Sequence, residues 1–530
     1  MNSTPEHLDL NEQFILAHKL LEQTSKNIFI TGKAGTGKST LLQYFRNNTK
    51  KNIAILAPTG VAAVNIQGQT IHSFFNFKPD VTPESASNIR VSKSKKLIYQ
   101  KLDMIVIDEI SMVRADLLDC IDAFLRRHGK ERGAGFGGIQ MVFIGDLYQL
   151  PPVVPSREQE IFKTLYPSPY FFDARAFANL QMDFLELEKI YRQKDNEFIE
   201  LLNAIRNNSL TDEHVAKLNK RHLPQFQPRD DEFYIYLTTT NDLADQINQE
   251  RLKMLKTRSY TYDGYIDGEF ELKNLPTHLD LELKEGAQVM MLNNDAGGRW
   301  INGSIGKITA IKRQIGATDA IEVELANGRR VDVIPHTWEM FHFSFNEETQ
   351  ALESESTGAF TQYPLRLAWA VTIHKSQGKT FSKIIVDMGR GAFSHGQVYV
   401  ALSRCTSLEG LILKKPILKK HIFMNWHIIR FLTNYQYKKS EESCSLEEKK
   451  TILKKAALER QQIDLIYLKA TDEKSRRTII PKRVGQMEYQ GKKYWGVEGF
   501  CLTRKEDRIF RLDRILELKS LKEHKTVDDV

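Results

Sequence analysis

The sequence predicts an α/β fold built on a parallel sheet, and three observations support this fold class. Residues 27–31 form an apolar run that leads into the pattern G-x-x-x-x-G-K-[ST] at residues 32–39 and then into a helical pattern. Three more apolar runs, residues 53–57, 104–107 and 141–144, have the length of buried strands. Small or polar residues follow each run, and we expect them to collect at one edge of the sheet.

The glycine-rich stretch has the composition of a phosphate-binding loop. Its glycines allow successive backbone N–H groups to face one anion, and the following helix N-terminus adds its dipole. We expect Lys38 to hold the β- and γ-phosphates of a nucleoside triphosphate and the Ser39 hydroxyl to bind Mg²⁺. The alternative, a glycine-rich turn that binds nothing, fits the position between a strand and a helix less well. The predicted nucleotide contacts are Gly32, Lys33, Ala34, Gly35, Thr36, Gly37, Lys38, Ser39 and Thr40.

Two adjacent carboxylates, Asp108 and Glu109, follow the apolar run at residues 104–107. At a strand end beside the phosphate-binding loop, Asp108 is predicted to hold Mg²⁺ and Glu109 to orient or deprotonate the attacking water. Acidic pairs also occur in the first turn of helices. The apolar run directly before this pair favours the catalytic interpretation.

Two glutamines are further candidates for nucleotide contact. Gln13 precedes the loop, and its amide can both donate to and accept from an adenine edge, although an exposed glutamine is usually only solvated. Gln149 follows the run at residues 141–144, where its amide could bond both the γ-phosphate and the attacking water. Such a contact exists only while the triphosphate is intact, so Gln149 is predicted to act as a sensor.

Residues 58–63 and 70–75 combine hydroxyl groups, a histidine and aromatic rings after the second apolar run. Side chains of these kinds could grip a sugar–phosphate backbone and stack bases, but a turn with core aromatics explains them as well. Residues 238–241 have a similar ambiguity, because their hydroxyl and amide groups could bind phosphate or cap a helix.

Composition sets broad limits. At 530 residues, with 41% hydrophobic and 27% charged residues, the chain has the composition of an ordinary globular protein with several domains. Its formal charge of +8 suits a polyanionic partner. The four cysteines form no C-x-x-C pair, so neither a disulfide framework nor a zinc site is indicated. Because no run reaches membrane-spanning length and residues 1–12 lack a signal-peptide pattern, we expect no membrane partner and a cytoplasmic protein.

Taken together, these motifs resemble superfamily 1B DNA helicases of the Pif type, relatives of the RecD-like helicases. The resemblance covers about residues 8–430. It rests on Gln13 and on residues 32–40, 57–63, 70–75, 107–112, 145–152, 192–193, 372–378 and 398–404. Residues 110–112, followed by the helical pattern at 117–127, favour the Pif type over RecD itself.

The resemblance implies a role for each matching residue. ATP and Mg²⁺ are the implied cofactors, and Arg192 and Arg404 match the two arginines that clamp the γ-phosphate from the second motor lobe. Gln377 and Gly378 are implied nucleotide contacts, and the implied catalytic residues are Lys38, Glu109, Gln149, Arg192 and Arg404. The implied DNA contacts are Pro58, Thr59, Gly60, Thr70, His72, Thr239, Asn241, His374, Lys375 and Ser376.

The resemblance also implies two RecA-like lobes. These are residues 1–190, with a small insert at about 75–100, and residues 191–437. Short alternating strands at about residues 295–362, with a hairpin turn at Asn327-Gly328, resemble the SH3-like β-barrel insert of the second lobe. We expect Phe341, Phe343 and Phe345 to lie in the core of that barrel rather than to form a base-stacking platform.

The C-terminal part is expected to be separate. Residues 437–445 have the polar composition of a linker, a charged helix is predicted at 446–462, and 438–461 together form the connection. Residues 462–530 resemble a WYL domain, a small β-rich module, although Tyr494-Trp495-Gly496 stands where that family has Trp-Tyr-Leu. The arginines of this region suit single-stranded DNA or a nucleotide ligand, and the alternative is that they pair with Glu506 and Asp507.

The sequence therefore supports two hypotheses from different classes. The first is a monomeric ATP-dependent 5′-to-3′ DNA helicase of genome maintenance, of bacterial type and associated with the nucleoid, whose partners are single-stranded DNA and junctions with duplex DNA. The second is a DNA-activated ATPase switch that reports nucleic acid through the WYL domain without unwinding. A third hypothesis, a subunit of a recombination nuclease, is weakened because the sequence shows no nuclease-like carboxylate cluster.

Overall fold

The computed structural model describes residues 11–270, 272, 275–313, 318–346, 348–349, 351–388, 395–423, 425–469, 474–489 and 491–520. Residues 1–10, on which most of the signal-peptide prediction rests, and residues 521–530 of the predicted WYL region lie outside this part. The chain divides into two compact units, one of residues 1–205 and 210–423, the other of residues 206–209 and 424–530.

A parallel sheet organises the first part of the first unit. Its strands are β1 Asn27–Gly32, β2 Ile53–Ala57, β3 Gln69–Thr70, β4 Met104–Ile107, β5 Gln140–Ile144 and β6 Met182–Leu187. They lie in the order β3-β2-β4-β5-β1-β6, and each neighbouring pair is parallel. The four predicted apolar runs are therefore confirmed as strands, and their carboxyl ends share one edge of the sheet.

Helices cover this sheet. They are α1 Glu12–Gln23, α2 Lys38–Asn48, α3 Gly60–Asn65, α4 Ile71–Phe75, α5 Pro83–Asn88, α6 Lys93–Lys101, α7 Ala115–His128 and α8 Gln159–Leu165. Phe14 of α1 and Phe45 of α2 pack with the apolar side chains of β1 and β5 in one buried cluster. The predicted insert at about 75–100 is formed by α5, α6 and the turns beside them.

The rest of the first unit contains a second parallel sheet and several antiparallel strands. The helices are α9 Asn196–Arg206, α10 Asp212–Asn219, α11 Asn241–Met254 and α12 Gln397–Leu402. The strands are β7 Ile235–Thr238, β8 Ser259–Asp263, β9 Tyr265–Gly268, β10 Asp280–Lys284, β11 Gln288–Met291, β12 Ile305–Lys312, β13 Ala320–Leu325, β14 Arg330–Val333, β15 His336–Asn346, β16 Ala351–Gln362, β17 Leu365–Leu367, β18 Ala370–Thr372, β19 Ile384–Val386 and β20 Leu411–Leu413. The second parallel sheet has the order β18-β7-β19-β20.

An antiparallel sheet of order β14-β13-β12-β11-β17 stands where the SH3-like insert was predicted. Its buried cluster includes Val289, Ile321, Val323 and Val333. Because β11 and β17 belong to this sheet, it extends beyond the predicted limits of 295 and 362 on both sides. The description as SH3-like stays a prediction.

The prediction for Phe341, Phe343 and Phe345 is wrong. These residues lie on β15, which pairs with β16 in a long hairpin outside the sheet of β11 to β14. The Phe343 ring packs edge-on against Phe74 at 5.8 Å, and the Lys101 ammonium lies 5.4 Å from the Phe345 ring centroid. The side chains of Phe343 and Phe345 therefore face α4 and α6, because alternation along a long hairpin can serve a neighbouring surface as well as a barrel core.

The second unit contains helices α13 Trp426–Ser443 and α14 Leu446–Glu459 and strands β21 Ile463–Leu468, β22 Lys474–Tyr489, β23 Lys492–Cys501, β24 Glu506–Arg511 and β25 Ile515–Ser520. The strands form an antiparallel sheet of order β24-β23-β22-β21-β25, whose apolar face packs on Leu453 and Ala456 of α14. The linker prediction for 437–445 is wrong up to Ser443, because α13 continues to that residue. Across the described residues of both units, no helix is long and apolar enough to cross a membrane.

Candidate nucleotide and DNA sites

The phosphate-binding loop lies between β1 and α2 at the carboxyl edge of the first sheet. Gly35 and Gly37 have φ angles of +83° and +85°, which residues with a side chain rarely adopt. Gly37 forms the N-cap of α2. A Cβ atom at Gly35 would also lie 2.5 Å from the Cβ of Arg192. Glycine is thus required at this position both by the turn and by the close approach of Arg192.

The Lys38 ammonium is turned back onto its own loop. It donates to the carbonyl oxygens of Gly32 at 2.7 Å and Lys33 at 3.0 Å. The Thr36 hydroxyl also donates to the Lys33 carbonyl, at 3.0 Å. A phosphate entering the loop would offer Lys38 a charged acceptor, which makes a stronger hydrogen bond than a carbonyl.

Asp108 and Glu109 are placed at the end of β4, as predicted from the sequence. Burial, and then the neighbouring Glu109 charge, raise the pKa of Asp108 to about 7, and the Lys38 ammonium opposes this rise. Burial also raises the pKa of Glu109, against the attraction of Lys38 and Arg404. Two buried carboxylates facing cations are the setting in which a divalent ion and a water molecule can be held.

Glu109 adopts a left-handed backbone conformation, with φ 51° and ψ 42°. For a residue with a side chain this conformation costs about 1–2 kcal/mol. Its carboxylate Oε2 accepts a hydrogen bond of 2.9 Å from the Gln377 amide, which belongs to the loop after β18. The second sheet is thereby joined to the carboxylate proposed for catalysis.

Arg192 and Arg404 lie at the same junction, each bonded to backbone oxygens. Arg192 Nη1 donates to the Ser403 carbonyl at 3.1 Å, and Arg404 Nε donates to the Val400 carbonyl at 2.9 Å. Arg404 is almost completely buried, and burial followed by repulsion from Arg192 lowers the pKa of its guanidinium to about 9. A buried and a partly buried guanidinium group that repel each other form a strong site for an anion.

Sequence reasoning missed two contacts at this junction. The Tyr399 hydroxyl accepts a 2.9 Å hydrogen bond from the Ala34 N–H of the phosphate-binding loop. Gln193 donates to the carbonyls of Ser403 at 3.1 Å and Cys405 at 2.9 Å. Tyr399 lies on α12, which ends two residues before Arg404, and Gln193 follows Arg192 directly, so adjacency to the predicted arginines was the available signal.

The two glutamines of the sequence prediction have different hydrogen-bond partners. Gln13 Oε1 accepts a 2.9 Å hydrogen bond from the Glu188 N–H, and nearby the Asn11 amide donates to the Tyr191 hydroxyl at 2.8 Å. Gln149 follows β5 in the chain and is buried, and its side-chain Nε2 lies 3.4 Å from Asp146 Oδ2.

The predicted DNA contacts in the first sheet occupy helix N-caps. The Thr59 hydroxyl accepts from the Ala62 N–H at 3.3 Å, and the Thr70 hydroxyl accepts from the Ser73 N–H at 3.1 Å. The aromatic rings beside them belong to the core: Phe75 is fully buried and stacks on Phe77 at 5.2 Å. Pro58, Gly60 and His72 are partly exposed. For Phe75 the structure therefore supports the alternative of a turn with core aromatics over base stacking.

The predicted DNA contacts in the second sheet follow two paired strands, β7 and β18. Asn241, His374 and Lys375 are exposed, and Thr239 is partly exposed. Ser376 differs, because its hydroxyl is buried and donates to the Ile373 carbonyl at 2.7 Å. Its carbonyl oxygen lies 3.4 Å from Arg404 Nη1, so the structure places Ser376 among the contacts of the nucleotide cleft.

In the second unit, two arginines of the predicted ligand region are paired with carboxylates. Arg508 bonds Glu506 at 2.5 Å and Arg511 bonds Asp513 at 2.6 Å, while Asp507 pairs with Lys482 at 2.8 Å. The Lys450 ammonium lies 4.0 Å from the Trp495 ring centroid. Pairing thus accounts for part of the charge pattern: Arg508 pairs with Glu506, as the alternative interpretation held, whereas Asp507 pairs with a lysine.

Comparison with known proteins gives the family. Residues 11–216 match the PIF1-like helicase family, and residues 448–520 match the WYL domain. The chain is 32% identical to the ATP-dependent DNA helicase Pif1 of Bdellovibrio bacteriovorus over 418 residues, which is 77% of this chain and 89% of that protein. It is 30% identical to the ATP-dependent DNA helicase PIF1 of Emericella nidulans over 464 residues, and it spans only 60% of that longer protein.

Solved structures agree. Crystal structures of Bacteroides Pif1 are 37% identical in sequence to this chain. The match covers 81% of this chain and 97% of the Bacteroides chain. The TM-score is 0.73 for the complex of that protein with ADP-AlF4 and 0.58 for the form bound to single-stranded DNA. The chain therefore belongs to the PIF1-like family of ATP-dependent DNA helicases and carries a WYL domain in its C-terminal part.

Proposed function

We propose that this protein is an ATP-dependent helicase that moves 5′ to 3′ along single-stranded DNA and opens duplex or otherwise structured DNA. One observation carries the proposal: residues from both parallel sheets meet around the phosphate-binding loop. Gln377 bonds Glu109, Tyr399 bonds the Ala34 N–H, and Arg192 packs on Gly35. A triphosphate bound there would touch both sheets, and its hydrolysis would remove that link.

The residues of the first sheet would bind and activate the nucleotide. Lys38 would exchange the carbonyls of its loop for the β- and γ-phosphates, and Glu109 would orient or deprotonate water while Gln149 senses the γ-phosphate. Asp108 and the exposed Ser39 hydroxyl supply oxygen ligands of the kind Mg²⁺ prefers, and Mg²⁺ would neutralise phosphate charge. Bacteroides Pif1, whose structure was solved with ADP-AlF4, supports a nucleotide at this site.

The second lobe would supply the arginines. Arg192 and Arg404 would turn from backbone oxygens to the γ-phosphate, where arginines commonly accelerate phosphoryl transfer by about 10³-fold or more. Because Arg404 is buried with a lowered pKa, an incoming anion would relieve an unfavourable charge. Gln377 and Gly378 would connect this change to the loop that also carries His374 and Lys375.

DNA would be held alternately by two sets of residues. The first sheet offers Pro58, Thr59, Gly60, Thr70 and His72, and the second offers Thr239, Asn241, His374 and Lys375. Cleft opening and closing would change the spacing between the two sets, so that the strand moves in one direction. Bacteroides Pif1, solved with single-stranded DNA, supports this assignment of the partner, and the family resemblance supports the 5′-to-3′ direction.

The remaining assignments follow the same family reasoning. We propose two RecA-like lobes at about 1–190 and 191–437, single-strand to duplex junctions among the substrates, and a monomer working on cytoplasmic, nucleoid DNA in replication, repair or recombination. A nucleic acid or nucleotide is proposed as the ligand of the WYL domain.

The test compares two partial duplexes, one with a 5′ single-stranded tail and one with a 3′ tail, in ATP and Mg²⁺. We expect strand separation of the 5′-tailed duplex alone, abolished by Lys38→Ala. Tailless duplex is the control for opening without loading. Opening of the 3′-tailed duplex alone would refute the proposed polarity. DNA-stimulated ATP hydrolysis without opening of either substrate would instead establish the ATPase switch.

A further inference from the structure

A cavity of about 320 Å³ lies along α2, beside the phosphate-binding loop. Its lining includes Ser39 at the start of α2, Gln377 in the loop after β18, and the cations Arg46 and Lys379. Gln43, which is exposed on α2, also lines the cavity. The cavity therefore extends from the predicted nucleotide site to the protein surface.

The inner end of this cavity is formed by neighbours of the expected γ-phosphate position. Gln377 donates to Glu109 Oε2 at 2.9 Å, and the Ser39 hydroxyl is predicted to bind Mg²⁺. The Lys379 carbonyl oxygen lies 3.4 Å from Arg404 Nη1. A phosphate cleaved from ATP at this site would thus have the cavity directly beside it.

The charge of the cavity lining is positive. Arg46 and Lys379 are both partly exposed, and no carboxylate is among the lining residues that the structure describes. Burial lowers the pKa of Arg46, and burial followed by the Arg366 charge lowers the pKa of Lys379 to about 8. In neither case does a nearby carboxylate oppose the change. An anion in the cavity would meet two cations whose charge is not neutralised.

Both cations carry donors that a phosphate can use. Arg46 Nη1 donates to the carbonyl oxygens of Ile66 at 2.7 Å and Gln67 at 2.8 Å. The Lys379 ammonium has three N–H groups, and it donates to Oδ1 of Asn302 at 2.6 Å. Neither cation forms an ion pair with any residue that the structure describes. Phosphate is a charged acceptor, so it makes stronger hydrogen bonds than these carbonyl and amide oxygens.

We propose that this cavity receives the inorganic phosphate released by ATP hydrolysis and holds it between Arg46 and Lys379 before it reaches solvent. The inference rests on the proposed function, because ATP hydrolysis supplies the phosphate. Along this route the phosphate leaves while ADP still occupies the phosphate-binding loop. Arg46 and Lys379 are thereby phosphate-binding residues outside the motifs found in the sequence.

The first experiment measures the binding of inorganic phosphate to the full chain without nucleotide, by phosphorus NMR titration. Lys38→Ala weakens the phosphate-binding loop as a competing site, so the phosphate that this variant still binds reports the cavity. Lys379→Met is added in the same background, and Lys379→Arg is the variant that keeps the charge. Lys93→Met, on exposed α6, is the matched control for loss of one positive charge.

We expect Lys38→Ala to retain phosphate binding, and the added Lys379→Met substitution to weaken it about tenfold, as for a lost hydrogen bond to a charged group. Arg46→Gln, at the other cation, should weaken binding to a similar extent. Lys379→Arg should recover part of the affinity, and Lys93→Met should leave it unchanged.

The second experiment compares ATP cleavage with phosphate release in the presence of oligo-dT. Quenched-flow sampling measures cleavage, and a fluorescent phosphate-binding protein measures release. In the wild type and in Lys93→Met, release should keep pace with cleavage. In Lys379→Met and in Arg46→Gln, release should become about tenfold slower and lag behind cleavage, because the phosphate loses its first site outside the loop.

The possible failures are distinct. If the wild type does not hydrolyse ATP, the proposed function fails. If it hydrolyses ATP but Lys379→Met leaves either the phosphate affinity or the release rate unchanged, this inference alone is overturned. The inference is also overturned if Lys379→Met affects neither quantity but lowers the slope of log oligo-dT affinity against log salt by about 0.7, because the cavity would then serve a phosphate of the DNA backbone. Melting curves establish that each variant is folded.

Discussion

The nucleotide side and the DNA side of the first unit are built differently, although both use the edges of parallel sheets. On the nucleotide side the key groups are buried or partly buried and are bonded across the cleft: Gln377 bonds Glu109, and the Tyr399 hydroxyl accepts from the Ala34 N–H. On the DNA side, Thr59 caps its own helix and Lys375 is exposed. The cross-links are thus concentrated where a nucleotide would bind.

This difference suggests how one site could control the other. A group that is already bonded across the cleft changes partner when an anion enters, and the sheets must then adjust. An exposed helix cap can bind or release a backbone phosphate with little rearrangement around it. We infer that conformational energy is stored mainly on the nucleotide side and that the DNA side follows. The predictions below test this division, beginning with the largest expected effect.

Glu109→Gln should lower the rate of DNA-stimulated ATP hydrolysis by about 10³-fold, because the amide cannot act as a base towards water. Affinity for oligo-dT without nucleotide should stay within about twofold of the wild type, which lies well below the effect of one lost hydrogen bond. Steady-state hydrolysis and fluorescence anisotropy of labelled DNA provide the two measurements. A parallel loss of ATP hydrolysis and DNA affinity would contradict the inference that the nucleotide side and the DNA side depend on separate groups.

Phe75→Ala should lower the free energy of unfolding by about 3 kcal/mol, since a buried ring is replaced by a cavity. Phe75 is fully buried among other aromatic rings, so oligo-dT affinity of the folded variant should not change. Urea unfolding and DNA binding at low temperature check both parts. Phe423→Ala, at a ring that is 43% exposed, is the control and should cost much less. Weaker DNA binding by Phe75→Ala with unchanged stability would restore the base-stacking interpretation.

The phenylalanines show what the sequence could and could not predict. The four apolar runs became β1, β2, β4 and β5, because a buried strand is a local pattern that its own residues specify. The carboxylates and the loop followed, since their positions depend on the ends of those strands. Phe343 was placed wrongly because alternation along a strand does not say which surface the strand will face. Its partner Phe74 is far away in the chain.

The same limit applies to the site. Lys38, Asp108 and Glu109 could be assigned from short motifs. The position of the Arg366 charge, which acts on Lys379 in the cavity beside α2, depends instead on the pairing of β17 with β11. A lone arginine on a three-residue strand carries no local signal. Long-range packing decides such cases, and only the folded chain displays it.

The pH dependence of the free energy of unfolding tests whether Lys379, at the boundary between the nucleotide side and the DNA side, is buried. Lys379 follows the loop of Gln377 and donates to Asn302 at 2.6 Å. Burial, and then the Arg366 charge, lower its pKa to about 8. Between pH 8 and its ordinary value the unfolded chain binds more protons, so this residue makes stability rise as pH increases. From pH 7 to pH 9.5 the rise should be about 2 kcal/mol, lost in Lys379→Met.

The measurement is urea unfolding of the wild type and Lys379→Met at both pH values. Other titrating groups are common to the two proteins, so their contributions cancel in the difference. Lys93→Met, on exposed α6, should retain the pH dependence of the wild type. An equal pH dependence in all three proteins would show that Lys379 is solvated in solution, and the boundary would then carry no buried charge.

The smallest expected effect concerns backbone strain. If conformational energy is stored mainly on the nucleotide side, strained backbone should occur there and not in the DNA-side helix caps. Glu109 has φ 51°, whereas the DNA-side caps Thr59 and Thr70 have φ −125° and −73°. Glu109→Gly should be more stable than Glu109→Ala by about 1 kcal/mol, because glycine adopts the left-handed region without steric cost.

At Gln43, exposed on α2, the order should reverse, since glycine is worse than alanine by about 1 kcal/mol inside a helix. Both Glu109 variants lack the carboxylate, so urea unfolding of the pair isolates the backbone. If Glu109→Ala were as stable as Glu109→Gly, the loop after β4 would relax at no cost, and the stored energy would have to lie in the buried arginines instead.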